Sequence, residues 1–143
     1  MSMLSVTELY KNFNDVEALN GVSFAVEEGE FFALLGPSAS GKTTTLRAIC
    51  GIEPLDSGRV MFDGVDMTHA PVQGRDMAMV FQNFALYPHL TVYENLAYPL
   101  RAAGLDTPAV CNRVGEIADM LGLNHILTRK PATASGGEQQ CCL

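Results

Sequence analysis

The sequence predicts an α/β fold organised around a phosphate-binding loop, and three observations carry that expectation. Gly36-Pro37-Ser38-Ala39-Ser40-Gly41-Lys42-Thr43-Thr44 has the G-x-x-x-x-G-K-[ST] form. It stands between a short apolar run, residues 31–35, and a helix-compatible stretch, residues 43–50. In that order of strand, glycine loop and helix, the N–H groups of the loop and helix start converge where phosphate oxygens can sit. Upstream of the loop the pattern alternates as strands do, and downstream two helical patterns follow one another.

Taken in order, residues 4–10, 17–19 and 21–26 read as strands, with Val22, Phe24 and Val26 on a half-buried face. The turn Glu27-Glu28-Gly29-Glu30 releases the chain into Phe31–Leu35, apolar on both faces as a central parallel strand should be. Phe13 falls in an early turn region, where an aromatic suits either stacking on a nucleotide base or packing. In the loop, Lys42 would place its charge at the β- and γ-phosphates of a nucleoside triphosphate, and the Thr43 hydroxyl would ligate Mg²⁺. Ala39 stands where many such loops have a further glycine, and a positive φ there costs about 1 kcal/mol. The helix ends at Cys50, a small hydrophobe for the core.

Residues 51–58 are turn-rich, and 58–64 form a short strand that closes on Asp63-Gly64. After a loop over 71–76, Met77–Phe81 reads as a second buried strand. Gln82 lies just past its end, the position of ligand-contacting groups in open α/β sheets, or else of a solvated loop amide. A loop rich in large groups follows, with Phe84, Leu86, Tyr87 and His89 either packed inside or exposed to a partner. Thr91-Val92-Tyr93-Glu94 is a capping box, and Leu96, Leu100 and Ala103 continue that helix to Gly104. Thr107-Pro108 opens another helix, carried by Val110, Val114, Ile117, Ala118 and Leu121 to Gly122. Two consecutive helices after strands suggest an inserted helical subdomain. The tail segment Ala134-Ser135-Gly136-Gly137-Glu138 offers a hydroxyl and two bare amides at a helix start, which is an anion site or a flexible linker. His69, His89 and His125 show no metal-ligand spacing.

A chain of 143 residues, 48% hydrophobic, suits one domain with a real core. Nine basic against 16 acidic residues give −7, which opposes a broad nucleic-acid interface or adhesion to anionic lipid. The longest apolar runs are about five residues, far short of the roughly 20 that span a bilayer. Residues 1–8 carry no signal-peptide pattern. Cys50, Cys111, Cys141 and Cys142 form no C-x-x-C pair and fit a reducing, cytoplasmic setting. Any membrane role is therefore expected to come through a partner.

Together these residues resemble the nucleotide-binding subunit of ABC transporters. The Walker A loop Gly36–Thr44, a Q-loop at Gln82 and a signature at Ala134–Glu138 (family form Leu-Ser-Gly-Gly-Gln) fall in the family's order, and Phe13 matches its base-stacking aromatic. Residues 79–95 look most like the importer branch that serves sugars and related solutes. The resemblance implies ATP·Mg²⁺ held by Lys42, Thr43 and the rest of the loop, Gly36, Pro37, Ser38, Ala39, Ser40, Gly41 and Thr44, with Gln82 touching the metal and sensing the γ-phosphate. Lys42 and Gln82 are then the catalytic candidates. Two such subunits would sandwich ATP head to tail, Ser135, Gly136 and Gly137 of one contacting the γ-phosphate held by the other. The region of residues 84–93 would lie near the groove for a transmembrane permease subunit, on the inner face of the cell membrane, and closure on ATP would drive transport.

Two features depart from the family pattern. Ala134 and Glu138 replace the signature's leucine and glutamine, and the family's later Asp-Glu strand and switch histidine are not in the sequence. The expectation is a partial domain. It would comprise a P-loop NTPase core with an N-terminal antiparallel β portion (1–83) and a helical subdomain up to the signature (84–143), with the C-terminal part of the core missing. Such a chain should bind ATP without turning it over alone. A non-transport ABC ATPase, or a truncated chain without catalysis, are the alternatives.

Overall fold

A computed structural model describes residues 2–82 and 85–142, Ser2 by its backbone. The chain divides into two compact units, Met1–Met79 and Val80–Leu143.

The first unit is built on a four-stranded sheet in the order β2-β1-β3-β4, antiparallel throughout. Strands β1 (Ser2–Phe13) and β2 (Val16–Glu27) form a long hairpin, with Phe13 opposite Val16 at its tip. Strand β3 (Ser57–Phe62) pairs with β1 on the other side and turns through Asp63-Gly64 into β4 (Val65–Asp66). Asp63 and Gly64 have φ of 47° and 74°. Two positive values in a two-residue turn match the strand twist, which is why an Asp-Gly pair closes this hairpin. In β1 the residues Val6 and Leu9 are both fully buried although their spacing is odd. A register shift between them, with Glu8 at φ 47°, acts as a bulge and returns Leu9 to the core face. Helix α1 (Lys42–Ile49) packs Ile49 into the same core, beside Val6, Leu9, Leu19 and Val60.

Two strand expectations are corrected here. Neither residues 31–35 nor 77–81 form a strand, and the described sheet contains no parallel pairing. Phe32 stacks on Phe24 of β2 at 4.8 Å, but Phe31 is 95% exposed and Leu35 88%. An apolar run states a demand for burial and says nothing of a pairing partner, and among the described residues no strand hydrogen-bonds to either run.

In the second unit, helices α2 (Val92–Ala102) and α3 (Thr107–Leu121) pack against each other. Val110, Val114 and Ala118 recur every four residues and are buried, which sets α3's inner stripe; Leu121, beyond it, is exposed. The first-turn amides of α2 are all satisfied. Val92 donates to Arg129 O at 2.9 Å, Tyr93 to Leu127 O at 2.9 Å, and Glu94 to Thr91 Oγ1 at 3.2 Å. Helix α3 starts on Asp106, whose carboxylate accepts from Ala109 N, and ends at Gly122 in the left-handed region. Asn95 is buried and ties the preceding loop to α2, accepting from Tyr87 N at 2.8 Å and donating to Thr91 O at 2.8 Å. A short helix α4 (Gly136–Cys141) follows, with Cys142 in the core beside Ile126.

Candidate functional site

The loop between Leu35 and α1 is shaped by two glycines, of which Gly41 admits no side chain. A Cβ on Gly41 (φ 85°) would lie 2.4 Å from Ala18 O, and one on Gly36 would lie 2.6 Å from Ser40 Oγ. Ala39 adopts φ 62°, so alanine carries a left-handed conformation there at a cost of about 1 kcal/mol. Lys42 folds back over the loop, its ammonium donating to Gly36 O at 2.8 Å, Pro37 O at 2.6 Å and Ser40 Oγ at 3.2 Å. An ammonium has three donors, and all three are used. Thr45, on the buried side of α1, donates its hydroxyl back to Gly41 O at 3.0 Å. Thr43 is exposed in the first turn.

A cavity of about 280 Å³ opens at this helix start, lined by Phe13, Val16, Glu17, Ala18 and residues 39–44. The hairpin tip thus brings Phe13 to the loop. An anion entering this cavity meets the N-terminus of α1 and the Lys42 charge, while a flat group can reach the Phe13 ring. Glu17 also lines the cavity and accepts from Asn20 Nδ2 at 2.6 Å. Sequence reading missed it, although its place two residues after the Asn14-Asp15 turn put it near Phe13.

Gln82 and the signature residues belong to the second unit. Gln82 is an exposed turn residue, and with 77–81 not a strand, the argument that set it at a strand's carboxyl end does not hold. Asn83 and Phe84, in the aromatic-rich loop, lie outside the described residues. Of that loop Tyr87 stacks at a tilt on Tyr98, ring centroids 4.8 Å apart, both exposed. Ser135 caps α4 by accepting from Glu138 N at 3.3 Å, and Glu138 in return accepts from Ser135 N at 2.7 Å. The Glu138 carboxylate also meets His125 Nε2 at 2.9 Å. The Ser135 hydroxyl first, then the Ser135 amide and the His125 ring, hold the Glu138 carboxyl below the usual range. Its charge is therefore turned back onto its own cap. A Cβ at Gly136 or Gly137 meets nothing within 4 Å, so the unit's own packing makes no demand for glycine at either position.

A residue the sequence did not flag secures the far end of α1. Arg75 is 3% exposed, and its guanidinium donates to Ala48 O, Ile49 O, Thr68 O and Ala70 O at 2.7–3.2 Å. It sits at the negative end of the helix dipole and so neutralises the terminus opposite the loop. Cys50, half-buried beside it, has its thiol pushed up by burial. The four cysteines are free thiols. No helix among the described residues is long and apolar enough to cross a membrane.

Comparison with known proteins identifies the family. Residues 19–143 match the family model for the ABC transporter domain. The sn-glycerol-3-phosphate import ATP-binding protein of Rhizobium etli is 44% identical over 140 residues, covering 98% of this chain and 40% of its own length. The trehalose/maltose import ATP-binding protein of Thermococcus litoralis is 42% identical over 146 residues (98% of this chain, 39% of its own). The spermidine/putrescine import ATP-binding protein of Hahella chejuensis is 41% identical over 138 residues (96% and 38%). The chain thus spans about 40% of the length of the relatives it matches. A match from β2 to the last residue, with the glycine loop inside it, makes this chain a member of the ABC transporter family.

Proposed function

We propose that residues 36–44 and Phe13 bind ATP with Mg²⁺, as part of the ATP-binding subunit of an importer of carbohydrate-type solutes. The observation that carries this reading is the single cavity in which Phe13 faces the glycine loop and the start of α1. The two glycines leave backbone amides bare for phosphate oxygens, and a Cβ would meet Ala18 O at Gly41 and Ser40 Oγ at Gly36. Lys42 exchanges a hydrogen bond for a phosphate oxygen, and the longest, to Ser40 Oγ at 3.2 Å, is the one most readily given up. The Thr43 hydroxyl, exposed beside it, suits a cation that takes one or two protein oxygens and completes its shell with phosphates and water. Held there, Mg²⁺ would supply charge neutralisation for the phosphates.

Glycines 136 and 137, which nothing in their own unit requires, are read as the surface a γ-phosphate on a second subunit approaches. The names of the relatives support import, with glycerol phosphate and disaccharides among the solutes. A transmembrane permease subunit is the membrane partner, so that the protein works as a peripheral subunit on the cytoplasmic face. Titration calorimetry of the chain with ATP·Mg²⁺ tests the site. Binding is expected at sub-millimolar ligand, lost in Lys42→Ala with the thermal transition retained; no heat at millimolar ligand, or unchanged binding in Lys42→Ala, refutes it.

A further inference from the structure

We propose that Lys11 is a positioning residue, holding the Phe13 ring in place for a nucleobase. The proposal rests on the reading of the cavity between Phe13 and residues 39–44 as a nucleotide site. Lys11 is 8% exposed, whereas Phe13, two residues on, is 43% exposed. The Lys11 ammonium lies over the Phe13 ring, 5.2 Å from its centroid. It is held there by Glu53 Oε1 at 3.1 Å and Asp56 Oδ1 at 3.7 Å. The same turn grips the backbone on both sides of Lys11, Asp56 N donating to Tyr10 O at 3.0 Å and Asp56 Oδ2 accepting from Asn12 N at 2.6 Å. Lys11 does not line the cavity; Phe13 does.

These facts divide the labour along three residues. The 53–56 turn fixes Lys11, Lys11 fixes one side of the ring through its cation–π contact, and the ring meets the cavity. A lysine meant only to tie β1 to that turn needs the two carboxylates and has no use for the ring. A hairpin-tip phenylalanine is otherwise free to turn about two side-chain bonds, and a base that stacks on it must first arrest that motion. A partly desolvated ammonium over the ring arrests it in advance and draws π density from the other face.

The test compares two ligands, ATP and inorganic tripolyphosphate, each with Mg²⁺, by calorimetry on the full chain. Tripolyphosphate reports the loop, and the ratio of the two affinities reports the base. Phe13→Ala is expected to weaken ATP about tenfold and leave tripolyphosphate unchanged. Lys11→Met, which keeps the stem and loses the charge, is expected to weaken ATP about fivefold with tripolyphosphate again unchanged, and Lys11→Arg to restore the ratio. In the Phe13→Ala background, Lys11→Met should have no further effect on the ratio. If Lys11→Met alters both ligands equally, or neither, while Phe13→Ala discriminates, Lys11 is structural and the proposal falls. If Phe13→Ala itself fails to discriminate, the base-stacking reading falls and takes this one with it. Should Lys11→Met lose its thermal transition, Glu53→Gln, which keeps the ammonium but loosens it, serves instead: a lowered ratio supports the proposal and an unchanged ratio overturns it.

Discussion

Replacing Arg75 by methionine should unfold the first unit more readily than any other single change at a polar side chain far from the loop. The guanidinium reaches four carbonyls, and methionine fills much of the stem's volume while reaching none. Ala48 O keeps a second donor, Gly51 N at 3.0 Å. Ile49 O, Thr68 O and Ala70 O lose the bonds that Arg75 gives them. A buried acceptor left without a donor costs about 1 kcal/mol or more; Ile49 O is buried, while Thr68 O and Ala70 O are part-buried, so the three losses amount to about 1–3 kcal/mol. Lysine at the same position keeps the charge but lacks the fork, and about half of the loss should remain. Urea unfolding followed by far-UV circular dichroism measures both variants, with Arg47→Met, exposed on the same helix, as the near-neutral control. A competing effect decides the outcome. A cavity of about 290 Å³ lined by Gly51, Glu53, Thr68, His69 and Arg75 adjoins the site. If water from it replaces the guanidinium, Arg75→Met will cost less than about 1 kcal/mol and the bookkeeping above is wrong.

Two further outcomes follow from the local geometry. Gly41→Ala combines a left-handed φ with a contact of 2.4 Å to a main-chain oxygen that cannot swing away. It should lower ATP affinity at least about tenfold, the equivalent of roughly 1.4 kcal/mol, and calorimetry showing parental affinity would sink the steric account. Glu94 and Glu138 are each held below the ordinary glutamate range, Glu94 by the Thr91 amide and hydroxyl and Glu138 by the Ser135 hydroxyl and amide. A depressed folded-state pKa gives stability that is present above the unfolded value and lost as pH falls through the folded one. Helical signal should therefore fade on acidification below the usual glutamate range, and the double variant Glu94→Gln, Glu138→Gln should fade less; parallel acid curves would show that the caps do not govern this limb.

Much of this architecture was legible because its code is local. Thr91 with Glu94, Thr107-Pro108, Gly122 and the pair Asp63-Gly64 each declare a boundary within four residues of themselves, and each is where the structure begins, ends or turns an element. The glycine loop was legible for the same reason, and so was the strain at Ala39. What failed to show is non-local. Arg75 acts on carbonyls 26 and 27 residues upstream, and a sequence displays side chains but not where main-chain oxygens will lie. Residues 31–35 and 77–81 advertised apolar character, and strand pairing was inferred from it without a partner in view. Lys11 was overlooked although K-x-F on a strand places the pair on one face, a two-residue period that would have found it.

The exposed run that begins at Phe31 has a colloidal consequence. It sets two large apolar groups, Phe31 and Leu35, on a stretch that pairs with no described strand. At −7, copies of the chain repel one another over about the Debye length, roughly 10 Å at 0.1 M salt and 3 Å at 1 M. Added salt removes that repulsion and leaves the adhesion of the apolar run intact. Dilute buffer should thus keep the chain dispersed where concentrated salt clouds it, the reverse of the salting-in expected for a protein held together by opposite charges.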